Sequence, residues 1–148
     1  MKLASLFIVL LAALVSTGCG DESAQDDGSG GGGARAHSHD GPHGGRLADL
    51  TGAGHLEFVH DASAGTVSVH LTTMDAKTAL AVPGAPQIKL STKDGPKILT
   101  MTAVGGSGGS ASEFTITDDT LKSEVLEGRI VLEIEGQTFN PFLRALRK

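Results

Sequence analysis

The chain has 148 residues, enough for one domain and too few for a second sizeable core. A net charge of −5, with 12 Lys and Arg against 17 Asp and Glu, and the absence of Trp and Tyr argue against the basic face and stacking platforms of a nucleic-acid binder. A single Cys excludes an intramolecular disulfide framework and any Cys-based zinc ribbon.

Residues 1–18 read as a leader. Lys2 supplies a positive start, and Leu3 to Val15 is apolar except for Ser5. At 1.5 Å per residue this run spans about 20 Å, short of the ~30 Å hydrocarbon core, so it has signal-peptide length rather than membrane-helix length. It ends in Ser16-Thr17-Gly18-Cys19. That stretch resembles the lipobox of bacterial lipoproteins, with Ser16 where Leu is usual. The resemblance implies cleavage before Cys19, acylation of Cys19 with palmitate-type chains, and a bilayer partner reached through the acylated N-terminus. Several chains make such an anchor stable where one does not. The expected location is the cell membrane or outer membrane, with the rest of the protein facing the periplasm or exterior.

Residues 19–43 read as a linker. Gly20 to Asp40 has almost no bulky apolar residue and carries five acids against Arg35. Such a composition cannot offset chain entropy by burial, and its reach is roughly 25–30 Å. From Gly41 onward the chain holds 10 basic and 12 acidic residues, so the remainder is nearly neutral.

Residues 44–148 read as the domain. Strands are expected over Arg46–Leu50, His55–His60, Thr66–Leu71, Leu80–Val82, Gln87–Leu90, Ile98–Ala103, Ser112–Ile116, Arg129–Glu135 and Thr138–Phe142, from period-two alternation between turn residues. Asp61 to Gly65 reads as a five-residue hairpin loop, Glu135-Gly136-Gln137 as a compact turn, and Gly105 to Ser110 as a Gly-rich hairpin tip. One short helix is expected over Thr120–Leu126, capped by Thr117 or Asp118 and stopped by Gly128. The fold class is therefore all-β, a single antiparallel, immunoglobulin-like β-sandwich with at most one short helix.

Six His are present, three of them in His37-Ser38-His39-Asp40-Gly41-Pro42-His43. Imidazole is the commonest side-chain metal ligand, and His-rich tracts are compositional signals for metal. His55 and Glu57 share the strand face opposite Leu56 and Phe58. If the chain at Gly44-Gly45 pairs with the 55–60 strand, His43 and His55 approach each other across the ladder. The candidate ligands are His37, His39, His43, His55 and Glu57, with Asp40 as an additional oxygen. His60 and His70 read as outward polar residues. Met74 and Met101 stand alone, so copper(II), zinc or nickel suits the residues better than copper(I).

Pro42-His43-Gly44-Gly45-Arg46-Leu47, His55 to Asp61, and Gly65-Thr66-Val67-Ser68-Val69 resemble a group of small secreted bacterial proteins and lipoproteins with a His-Gly-Gly start. The nearest functional analogy is to periplasmic copper-carrier sandwiches and metal-efflux accessory proteins. It implies His43, His55 and His37 or His39 as ligands. Gly105-Gly106-Ser107-Gly108-Gly109 spells Gly-x-Ser-x-Gly and Gly28 to Gly33 spells Gly-x-Gly-x-x-Gly, but both lie in Gly-rich loop or linker without the strand-to-helix setting those motifs need, and no phosphate-binding loop occurs, so no enzyme is expected. Two functions stay open. One is a membrane-anchored envelope lipoprotein binding copper(II), zinc or nickel through His. The other is a non-catalytic interaction or structural module without metal, whose partner is another envelope protein or a wall polymer docked on an exposed strand edge such as Arg46–Leu50.

Overall fold

In the computed structural model, which describes residues 40–147, strands follow the apolar alternation closely. β1 (Arg46–Leu50), β2 (Gly54–Asp61) and β3 (Thr66–Thr72) are followed by β4 (Val82–Pro83), β5 (Gln87–Thr92), β6 (Gly95–Thr100) and β7 (Thr102–Ala103). Then come β8 (Ser110–Ala111), β9 (Glu113–Thr117), a 3-10 turn over Asp119–Lys122, β10 (Gly128–Ile134), β11 (Gln137–Phe139) and a second 3-10 turn over Leu143–Leu146. All pairings are antiparallel: a five-stranded sheet β1-β2-β3-β9-β7, a four-stranded sheet β11-β10-β5-β6, and the short pair β4-β8. The leader, Cys19, most of the linker, His37 and His39 lie outside the described residues.

Leu56 and Phe58 of β2, Val67, Val69 and Leu71 of β3 and Phe114 of β9 face inward from the five-stranded sheet. They share one core with Ile88 and Leu90 of β5 and Ile130, Leu132 and Ile134 of β10. This is the expected all-β, sandwich-like arrangement: each antiparallel sheet buries one face and leaves the other polar.

Several expected elements differ in detail. The 98–103 strand is two strands, because the chain leaves β6 in one sheet at buried Met101 and enters β7 in the other. The 138–142 strand ends at Phe139, since Pro141 has no N–H to donate, and its carbonyl instead accepts from Ile130 N at 3.1 Å. The helix over Thr120–Leu126 is only one 3-10 turn. Leu121 and Leu126 are both buried, and five residues apart they would sit about 140° apart on an α-helix. The chain turns extended at Ser123 and buries both. The β10–β11 turn has two residues, Glu135 and Gly136, both at positive φ (50° and 79°), as a primed hairpin turn requires.

The β2–β3 loop is one residue shorter than expected. Asp61 pairs with Thr66, leaving 62–65 as the turn. Asp61 Oδ1 closes it, accepting from Ser63 Oγ–H at 2.6 Å and Ala64 N–H at 3.0 Å. That single residue sets which side chains meet on the outer face.

Candidate functional site

The register fixes a row across the outer face of the five-stranded sheet. Leu47 of β1 stands opposite Glu57 of β2, Glu57 opposite His70 of β3, and His70 opposite Glu113 of β9. One step along lies a second row, Asp49–His55–Thr72. Outer-face residues are ordinarily solvated, yet Glu57 is only 2% exposed. The chain entering β1 covers it. Asp40 bridges to Arg46, Gly41 N–H donates to Gly45 O at 2.8 Å, and Gly44 N–H donates to Gly41 O at 3.0 Å, so residues 40–46 form a closed turn over β2. A Cβ on Gly41 would overlap the Glu57 carboxyl carbon, so the approach requires glycine.

Three donors converge on the buried carboxylate. Oε1 accepts from His43 N–H at 2.8 Å and Gly45 N–H at 2.9 Å, and Oε2 accepts from His43 Nδ1–H at 2.8 Å. Burial alone would raise the Glu57 pKa. The His43 side chain and the Gly45 and His43 amides outweigh it and hold the carboxyl below its ordinary value. An ionised carboxylate only accepts, so His43 carries its proton on Nδ1 and, when neutral, a bare lone pair on Nε2. The His43 side chain is 51% exposed. Carboxylates orient metal-binding imidazoles in this way.

His43 also stacks on His70, ring centroids 3.8 Å apart and planes 10° from parallel. Burial, with His43 adding to it, lowers the His70 pKa; Glu113 and Glu57 oppose this and lose. An ion in the plane of one ring would lie well outside the plane of the other, so this stack does not offer two in-plane nitrogens to one ion at 2.0–2.1 Å.

His55 and His43 do not meet across the ladder. β1 begins at Arg46 and places Asp49 opposite His55, while His43 sits in the preceding turn on Glu57. His55 Nδ1–H donates to Thr73 O at 3.3 Å, leaving Nε2 as its second ring nitrogen. Its ladder neighbours Asp49 and Thr72 each carry a buried side-chain oxygen (Oδ1 and Oγ1) with no hydrogen-bond partner. His60 is structural: its Nε2–H donates to Leu121 O at 2.7 Å, tying β2 to the first 3-10 turn. Among the described residues, no group of three or more His, Cys, Asp or Glu is placed to hold a metal ion by itself.

Reading the sequence alone missed His70 and Asp49. Both follow from register, and the signal for His70 was the Asp61-x-Ser63-Ala64 turn that shortens the hairpin. No protein-family profile, curated protein or solved structure matches the chain.

Proposed function

We propose that the chain is a membrane-tethered, non-catalytic lipoprotein of the cell envelope whose sandwich domain presents His43 as an oriented ligand for copper(II), zinc or nickel. The observation that carries the reading is the buried Glu57 carboxylate on His43 Nδ1–H, which aims Nε2 away from its own support. His37 and His39 precede His43 by six and four residues and are the natural source of further nitrogens. His55, with the unpartnered oxygen of Asp49 beside it in the ladder, is the oxygen-assisted ligand on the same sheet face. The anchor is Cys19, from the lipobox-like residues before it. Among the described residues, no helix is long and apolar enough to cross a membrane.

Titration calorimetry on the chain from Cys19 onward, carrying Cys19→Ser, tests the metal reading. At least one of copper(II), zinc and nickel should bind with a micromolar or tighter Kd, weakened at least tenfold by His43→Gln. Millimolar or weaker binding of all three overturns it.

A second reading has its own support. β1 is the edge strand of the five-stranded sheet, and beyond the Asp40–Arg46 bridge Leu47–Leu50 offers one side of its backbone to a partner strand from another envelope protein. In that reading the Glu57–His43 contact only shapes the start of the edge. Capture of an envelope protein lost on Leu47→Pro, together with no metal binding, would select it.

A further inference from the structure

Beside the Gly44-Gly45 turn and His60, the start of β1 meets the C-terminal 3-10 turn in a groove of about 670 Å³. Arg46, Arg144 and Arg147 line it with Phe58 and Val125, and Glu124 is its one carboxylate. Arg144 also borders an adjoining depression with Arg129, Lys89, Phe142 and Glu127, so the two form a continuous surface. Five cations thus stand against two carboxylates, on a domain that is slightly acidic overall. None of the four arginines is in an ion pair among the described residues. Arg46 Nε is buried without a hydrogen-bond partner. Phe142 is 47% exposed and Val125 49% exposed, and Phe142 lies beneath both Arg129 and Arg144, at 5.4 and 5.1 Å from its ring centre.

Desolvating a guanidinium nitrogen without a partner is costly, and unpaired arginines beside exposed apolar side chains form an incomplete interface. The complement has two parts, phosphate oxygens for the guanidinium forks and an apolar layer for Phe142 and Val125. A bilayer surface rich in anionic phospholipid supplies both at one depth. Aromatic rings seat at the headgroup boundary, and each nearby Arg adds about 1 kcal/mol of attraction.

We propose that this arginine–phenylalanine surface is a membrane-docking face that binds anionic phospholipid headgroups and lays the domain against the bilayer. The tether of the proposed function would keep the face near lipid, but the binding itself does not require acylation.

The test therefore uses the chain from Cys19 onward carrying Cys19→Ser, sedimented with vesicles of phosphatidylcholine alone or with phosphatidylglycerol added. Its failure would leave lipidation and metal binding standing, and theirs would leave it standing. Binding is expected only to the phosphatidylglycerol vesicles and should weaken at high salt. The double variant Arg144→Gln/Arg147→Gln should reduce partitioning roughly 20- to 30-fold. Lys77→Gln, a charge removed from an exposed turn, should change it less than twofold. Both arginines are exposed, so circular dichroism should show a native fold in the double variant. Equal binding to both vesicle types, or full binding by the double variant, overturns the proposal. Release from vesicles by inorganic phosphate at matched ionic strength would make the groove a soluble-anion site and overturn it equally.

Discussion

Glu57→Ala is the sharpest perturbation of the outer face. It removes an acceptor used by three donors. The Gly45 amide is buried and would be left unsatisfied, at about 1–3 kcal/mol; the His43 amide and ring are partly exposed and can turn to water, at less cost. Together with the lost charge-assisted bonds, the sum is about 3–5 kcal/mol, a large share of the roughly 5–15 kcal/mol that stabilises a domain. At about 4–8 °C per kcal/mol, Tm should fall by roughly 12–40 °C. Glu57→Gln keeps the volume and one acceptor oxygen and should cost only about 1–2 kcal/mol. The chain has no Trp or Tyr, so far-UV circular dichroism with urea is the assay. The pH dependence has a definite sign. The Glu57 pKa is lowered on folding, so its contribution is complete above the unfolded value near 4.5 and is lost as pH falls through the lower folded value. The gap between wild type and Glu57→Gln should therefore close in acid. A Glu57→Ala variant within about 0.5 kcal/mol of wild type would refute the account of the closed turn.

Gly41→Ala places a methyl group on the Glu57 carboxyl and should destabilise by about 1–3 kcal/mol in the same urea titration, while Gly44→Ala meets no neighbour and pays only for its positive φ. Asp118 caps the first 3-10 turn and accepts from Lys97 Nζ at 2.7 Å; that bond, then Thr120, pulls its pKa down to about 2. Asp118→Ala should cost about 1–2 kcal/mol above pH 4, and the difference should vanish as pH falls from about 4 to about 2, read by urea midpoints across that range. Cys19→Ala should move the protein from the membrane to the soluble fraction of cells and leave Tm within about 1–2 °C, because no described element draws on that residue.

β3 and β5 were legible because they alternate strictly, and β1 and β10, whose alternation is broken by Leu47 and Val131, because turn residues bound them; each buries one face. Their pairing was less so. A five-residue loop would set inward Leu56 opposite outward His70, which the alternation itself excludes; the Asp61-closed turn supplies the register that sets His70 opposite Glu57 and under His43. Alternation marks faces and so admits only registers two residues apart, and turn chemistry selects among those. Glu57 shows a second limit. By alternation it belongs outside, and only the fold-back of Gly41 to Gly45, fixed by close backbone approach, buries it. The helix expected at Thr120 failed for a third reason: the tertiary need to bury both Leu121 and Leu126 overrode a good cap.

The central claim is that Glu57 fixes His43 with its proton on Nδ1 and Nε2 open to a metal ion. Long-range proton–nitrogen NMR of the histidine rings in the uniformly ¹⁵N-labelled, unlipidated chain measures this directly. Without metal, neutral His43 should show the Nδ1–H tautomer, and zinc should shift its Nε2 resonance while Nδ1 stays protonated. An Nε2–H tautomer for His43, or ring signals unmoved by excess zinc, copper(II) and nickel alike, would contradict it.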